Sequence, residues 1–144
     1  MGRRKGATRR HAESKGLRSG FELLGYAFLQ SQTDIEFSYE SEELAYTVPT
    51  SNHKYTPDFI VTTKSGKKMY IEFKGNLTPA DRKKMKLVIE QHPDKDIRML
   101  IQRDNYISNK NVATRKRYSD WLKAQGITYH VSSKGELPSN WLKE

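Results

Sequence analysis

Thr56-Pro57-Asp58-Phe59-Ile60-Val61, a short polar turn, and then Tyr70-Ile71-Glu72-Phe73-Lys74-Gly75 decide how this chain reads. Side chains alternate faces along a strand. Glu72 and Lys74 therefore share one face, and Ile71 and Phe73 the other. Lys64-Ser65-Gly66-Lys67 supplies a hairpin turn between strands near 58–63 and 68–74. Asp58 opens the first strand, while Glu72 and Lys74 close the second. Two carboxylates and an ammonium at strand ends suit a hard divalent cation with a lysine beside it, which is equipment for metal-dependent phosphodiester hydrolysis. Each part has a plainer explanation, since Pro-Asp pairs open turns and exposed charges guard edge strands. The combination is the more specific signal.

The rest of the chain narrows the class. Its 144 residues match the prior of about 150 per domain, enough for one modest core. There is no cysteine, so disulfides and thiolate zinc sites are excluded. No run of about 18 apolar residues suggests a membrane span, and the basic N-terminus lacks the apolar core of a secretory signal. The net charge is +9, which favours nucleic acid as partner. Three clusters carry much of it: Arg3, Arg4, Lys5, Arg9, Arg10, Lys15 and Arg18; then Arg82, Lys83, Lys84 and Lys86; then Arg115, Lys116 and Arg117. The first has no apolar face for a membrane.

Residues 1–17 read as a disordered basic arm. Residues 18–144 read as one domain. Ser19 and Glu22 match a capping box, and Phe21, Leu24 and Phe28 follow at helical spacing, so a helix is expected over about 20–32. Glu22 is thus explained as a cap partner without any catalytic role. Ile35, Phe37 and Tyr39 alternate as a strand, and Leu44, Tyr46 and Val48 as another that ends at Pro49. Ser51-Asn52-His53-Lys54 reads as loop, where His53 is a candidate general acid or DNA contact. Thr78, Pro79 and Asp81 start a helix that His92-Pro93 stops. Ile97 to Ile101 reads as a buried strand and 103–112 as a polar loop. A helix near 113–125 ends at Gly126. Ile127, Tyr129 and Val131 give a last strand, and Pro138 to Leu142 a turn that docks Trp141. The order describes a mixed α/β domain around a central sheet.

At these residues the chain resembles the phage endonuclease I family of Holliday-junction resolvases, within the PD-(D/E)-x-K nuclease superfamily. The matching blocks are Arg18-Ser19-Gly20-Phe21-Glu22, Val48-Pro49, Ser51-Asn52-His53, Tyr55-Thr56-Pro57-Asp58-Phe59 and Glu72-x-Lys74-Gly75. Asp81-Arg82-Lys83-Lys84, Gln91-His92-Pro93, Asp96-Ile97-Arg98 and Pro138-x-x-Trp141 continue them in order. The resemblance implies a PD-(D/E)-x-K core with Asp58 and Glu72 as metal-binding acids, Lys74 as catalytic lysine and Glu22 as an additional acid. It adds the Phe73 backbone carbonyl as a metal ligand. Mg²⁺ is the implied cofactor, with Mn²⁺ as substitute. Apart from the resemblance, the basic clusters and the loop histidine make Arg3, Arg4, Arg9, Arg10, Arg18, His53, Arg82, Lys83 and Lys84 the candidate DNA contacts.

The implied activity is resolution of four-way junctions and other branched DNA by an intertwined homodimer, in the cytoplasm of a phage-infected host. In that domain-swapped dimer, 18–44 is the exchanged portion, 45–51 the bridge and 52–144 the catalytic core. Pro49 suits an extended crossing there. The chain departs from the family in its longer hairpin between Asp58 and Glu72, and in lacking a basic extension after Trp141. A homing or restriction-type endonuclease on the same core, a non-catalytic DNA-binding module and an RNA-processing nuclease are the alternatives.

Overall fold

Apolar alternation and helix caps account for most of the elements. The computed structural model describes residues 19–48, 50–108 and 111–144. The expected basic arm, Arg18 and Pro49 lie outside the described residues. In chain order the elements are α1 (Gly20–Ser31), β1 (Ile35–Tyr39), β2 (Leu44–Val48), β3 (Ser51–Tyr55), β4 (Phe59–Thr63), β5 (Lys68–Lys74), α2 (Pro79–Gln91), β6 (Ile97–Ile101), α3 (Tyr118–Ala124), β7 (Tyr129–Val131) and α4 (Ser139–Leu142).

Five strands form one mixed sheet in the order β1-β4-β5-β6-β7. β1, β4 and β5 are antiparallel neighbours, and β5, β6 and β7 run parallel. Parallel neighbours need crossovers, and α2 and α3 supply them. The mixed α/β expectation holds.

Each face of the sheet carries its own core. Phe59, Val61, Met69, Ile71, Phe73 and Leu100 face α1 and α4 and bury Phe21, Leu29 and Trp141. Ile60, Tyr70, Ile97, Met99 and Ile101 face α2 and α3 and bury Met85, Val88 and Leu122. Burying one such side chain contributes about 1.5–3 kcal/mol. The strand alternation thus puts Ile71 and Phe73 under α1, and turns Glu72 and Lys74 to the α2 side.

Two expectations are corrected. Ser51 to Lys54 is not loop but part of β3, which pairs with β2 from Leu44↔Tyr55 to Val48↔Ser51. These residues are exposed apart from Tyr55, so backbone pairing rather than apolar patterning makes the strand. The pairing of Val48 with Ser51 closes this ladder, and Pro49 of the expected bridge lies outside the described residues. The hairpin is docked on the end of α2, where the Gln91 amide both accepts from Thr47 N–H at 2.7 Å and donates to Thr47 O at 2.8 Å.

The third helix starts at Tyr118 rather than near 113. The residues before it are used in another way. Ile107 N–H donates to Lys116 O at 2.8 Å and Tyr118 N–H to Asn105 O at 2.9 Å, so 115–117 run beside 105–107. Asp120 then accepts from Arg117 N–H at 2.8 Å and starts the helix. No helix among the described residues is long and apolar enough to cross a membrane.

Candidate active site

Asp58 sits just before β4, opposite the end of β5. Its Oδ2 accepts from the Phe73 backbone N–H at 2.8 Å, which ties the strand-opening acid to the strand bearing Glu72 and Lys74. Register does the rest. Tyr39↔Phe59 ends the β1–β4 ladder, and Glu40 N–H continues it to Asp58 O at 3.0 Å. On the far side, β5 and β6 end together at Lys74↔Ile101.

Four of the expected residues meet in one cleft. Its volume is about 290 Å³, and Ser19, Glu22, Asp58, Glu72, Phe73, Lys74, Gly75 and Asn76 line it. Glu22, Asp58 and Glu72 are buried. Helix α1 delivers Glu22 because Ser19 Oγ caps it, accepting from Glu22 N–H at 3.1 Å. The Glu22 carboxylate takes a hydrogen bond from Tyr39 OH at 3.1 Å and faces the cleft. The expected capping box is thus only half formed: Ser19 caps the Glu22 N–H, while the Glu22 carboxylate, held by Tyr39, turns to the cleft instead of back to the cap.

Carboxylate oxygens of Glu22, Glu40 and Asp58 lie within 4.8 Å of one another. Glu40 is the residue that sequence reasoning missed. It adopts a left-handed backbone with φ 47°, and it reaches the site only through the β1–β4 register, which leaves no local signature. Glu72 is not one of this trio; it lines the same cleft as Glu22 and Asp58, and its Oε2 accepts from the buried Tyr55 hydroxyl. Every donor named here is a carboxylate oxygen, the chemistry that a hard cation such as Mg²⁺ or Mn²⁺ selects.

Lys74 completes the arrangement. Its Nζ lies 3.8 Å from Glu72 Oε1 and 3.2 Å from Asp81 Oδ1. Partial burial alone would lower its pKa. The attraction of Glu72, Asp81 and Asp58 outweighs that and holds the ammonium above its ordinary value. Asp81 does two jobs, accepting from Thr78 N–H at 3.1 Å as the cap partner of α2 and from Lys74 as its counter-ion. Burial would raise the Asp81 pKa, but the Thr78 hydrogen bonds and Lys74 keep it below the usual carboxylate value.

The expected DNA contacts divide. Lys83 is exposed on α2. Arg82 turns back to donate to Leu77 O at 2.6 Å, and Lys84 lies 5.2 Å from the Tyr55 ring centroid. His53 is not gathered into the cleft: it stacks on Tyr46 at 5.3 Å in the β2–β3 hairpin and bonds Ser51. Arg3, Arg4, Arg9, Arg10 and Arg18 lie outside the described residues.

Comparison with known proteins gives a family match over the chain. The family model described as phage endonuclease I matches residues 1–144. The chain is 35% identical over 127 residues to a protein named Endonuclease I from Escherichia phage T7, covering 88% of this chain and 78% of that one. It is 35% identical over 120 residues to Endodeoxyribonuclease 1 from Enterobacteria phage T3, covering 83% and 74%.

Proposed function

The chain belongs to the phage endonuclease I family and is a DNA endonuclease, and from that premise we propose that it is a metal-dependent, structure-selective enzyme that resolves four-way junctions and other branched DNA. The observation that carries this reading is one cleft lined by Glu22, Asp58, Glu72 and Lys74. Asp58 and Glu72, with Glu22 and the Phe73 carbonyl, are the ligands that would hold Mg²⁺ or Mn²⁺. When bound, such a cation supplies Lewis-acid stabilisation of the charge that builds on the phosphoryl oxygens.

The protein's own groups orient the reaction. Lys74 stays protonated beside Glu72 and Asp81, so it is an ammonium placed to neutralise developing negative charge or to hold the attacking water. Tyr39 and Tyr55 fix the carboxylates of Glu22 and Glu72 by their hydroxyls. The carboxylates are buried at the floor of an open cleft, and this gives them geometry before DNA arrives.

A junction requires two symmetric cuts, and a two-fold homodimer supplies two identical sites. In the proposed dimer the 18–44 portion is exchanged between chains across the 45–51 bridge. The approach of the Glu22 and Asp58 carboxylates to within 4.8 Å inside one chain would then be made between chains. Shape rather than base sequence selects the substrate, because a branch is already bent where linear duplex must be deformed.

The decisive assay incubates the protein with a synthetic four-way junction and its matched linear duplex, with and without Mg²⁺. Paired cuts on the junction that require the metal support the reading. Cleavage confined to one sequence in the linear duplex would favour a homing or restriction-type enzyme. Metal-independent binding without any cutting would leave a non-catalytic DNA-binding module.

A further inference from the structure

The loop that follows β6 carries a group of cations that the catalytic cleft does not use. It leaves the sheet beside the site: Gln102 N–H donates to Lys74 O at 3.0 Å, directly after Ile101 pairs with Lys74. In an open α/β sheet, the carboxyl ends of the parallel strands are where ligands bind. The loop sits on the same face as Glu72 and Lys74, because Ile107 and Tyr118 pack into the core on the α2 side.

Its side chains are prearranged. Tyr106 is 37% exposed, and two guanidinium groups lie against its ring, Arg115 at 3.6 Å and Arg117 at 4.1 Å from the centroid. Arg117 also donates to Asp104 O at 2.8 Å and to Tyr106 OH at 2.9 Å. Asp104, the acid within the loop, is occupied elsewhere, accepting from Ser119 N–H at 2.9 Å and Ser119 Oγ at 2.6 Å. Among the described residues, neither arginine forms an ion pair with a carboxylate. The Arg115 Nε is buried without a hydrogen-bond partner among the described residues. Arg103 and Lys116 are exposed in the same loop.

Two like charges held against one ring repel each other, and among the described residues no carboxylate pairs with either of them. Stacking fixes the guanidinium planes and reduces the ordering cost of engaging an anion. Planar, fixed, uncompensated guanidinium groups match phosphate oxygens. The loop that carries them leaves the sheet at Gln102, beside the carboxyl end of β5.

We propose that Arg115 and Arg117, stacked on Tyr106, form a phosphate clamp that grips the DNA backbone flanking the cleavage site. This rests on the endonuclease reading above. It assigns the clamp to backbone positioning and not to base recognition, so its effect is equal on all sequences and appears in the salt dependence of binding.

The experiment uses the full chain carrying Glu72→Gln, so that binding is read without cutting, and measures anisotropy of labelled four-way junction and linear duplex across a salt series. Each neutralised phosphate contributes about −0.9 to the slope of log affinity against log salt. Adding Arg115→Ala and Arg117→Ala together should flatten that slope by roughly 1.8 and weaken both DNAs alike. Adding Arg115→Lys and Arg117→Lys instead should restore the slope, because charge is kept while the planar fork is lost. An unchanged slope in the alanine pair overturns the clamp. So does a flattened slope that the lysine pair fails to restore, which would assign the loss to collapse of the loop. If the Glu72→Gln chain binds neither DNA and the unaltered chain cuts neither, the endonuclease reading itself fails and the clamp with it.

Discussion

The Phe73 backbone N–H donates to Asp58 Oδ2 at 2.8 Å, with Asp58 fully buried. One carboxylate oxygen is therefore committed to the fold, and the same carboxylate stands among the candidate metal ligands. Two substitutions separate these roles. Asp58→Asn keeps an acceptor for Phe73 but is a poorer metal ligand, so cleavage should be lost with little change in melting temperature. Asp58→Ala leaves the Phe73 N–H unsatisfied and should cost a further ~1–3 kcal/mol of stability. Junction cleavage and thermal melting measured side by side check both. An Asn variant that cuts at the unaltered rate would remove Asp58 from the ligand set.

Lys74 links chemistry to charge. Glu72→Ala or Lys74→Ala should abolish cleavage while junction affinity stays within about tenfold, or roughly 1.4 kcal/mol. Asp81→Asn tests the counter-ion. Without it, the Lys74 pKa falls, because Asp81 is one of the charges that hold it up. The alkaline limb of the pH–rate profile should then move to lower pH. A profile that keeps its limb while total rate drops would mean Asp81 matters only as the α2 cap.

Helix α1 reaches the sheet closely because residue 25 is glycine. A Cβ built there would lie 2.1 Å from Phe73 Cε2, and Phe73 is itself packed between Phe21 and Phe59 at 5.1 and 5.0 Å. Overpacking of this kind costs about 1–3 kcal/mol, against a helix-propensity gain of at most ~1 kcal/mol. Gly25→Ala should therefore lower the melting temperature. It should also reduce cleavage beyond any stability effect, because α1 carries Glu22. Phe73→Leu in the same chain should recover part of the stability, and no recovery would show that the clash is relieved elsewhere.

Much of this arrangement is legible in the sequence. Ile35, Phe37 and Tyr39, or Phe59 to Thr63, declare strands because their packing repeats with period two. Thr78, Pro79 and Asp81 declare a helix start because each satisfies a specific need of that terminus. Asp58, Glu72 and Lys74 could be placed together because a hairpin relates them. What stayed hidden depends on partners distant in sequence. Nothing in Ser51 to Lys54 is apolar, and only pairing with β2 makes a strand there. Tyr118 begins the third helix, and not residue 113, because 115–117 are held beside 105–107. Glu40 reaches Asp58 by inter-strand register alone, and the inward turn of the Glu22 carboxylate depends on Tyr39 from another element.

Acid should unfold the protein through a few paired carboxylates. Asp96 lies below its ordinary value of 3.8 chiefly because Arg98 hydrogen-bonds it, and Glu144 below 4.5 for the same reason. Groups depressed in the folded state stabilise it above their unfolded pKa, and that contribution fades as pH falls through the folded one. Stability should thus be flat from neutral pH to about 4.5 and then decline. Replacing the buried Arg98 by Leu removes the main partner of both acids and leaves Asp96 with Lys67 at 3.3 Å, so it should lower stability at pH 7 and partly flatten the acid decline. Urea melts at a series of pH values give the slopes, and an unchanged acid slope in Arg98→Leu would dismiss this pair as the source.

The last test concerns where each site is assembled. Within one chain, Glu22 and Asp58 already approach each other, and the β2–β3 hairpin joins the two portions that carry them. Exchange would require the turn between β2 and β3 to open, after which the contacts on either side of it would re-form with partners drawn from two chains. Chains carrying Glu22→Ala and chains carrying Glu72→Ala should each be inactive. Co-refolded together in an exchanged dimer, one site receives both altered residues and the other receives Glu22 and Glu72 intact. The mixture should then nick a four-way junction on one strand and fail to make paired cuts. If sites form within single chains, both centres of the heterodimer carry one defect and no nicking returns. Heterodimer content is verified by two different affinity tags, so an inactive mixture rich in heterodimer sinks the exchanged arrangement.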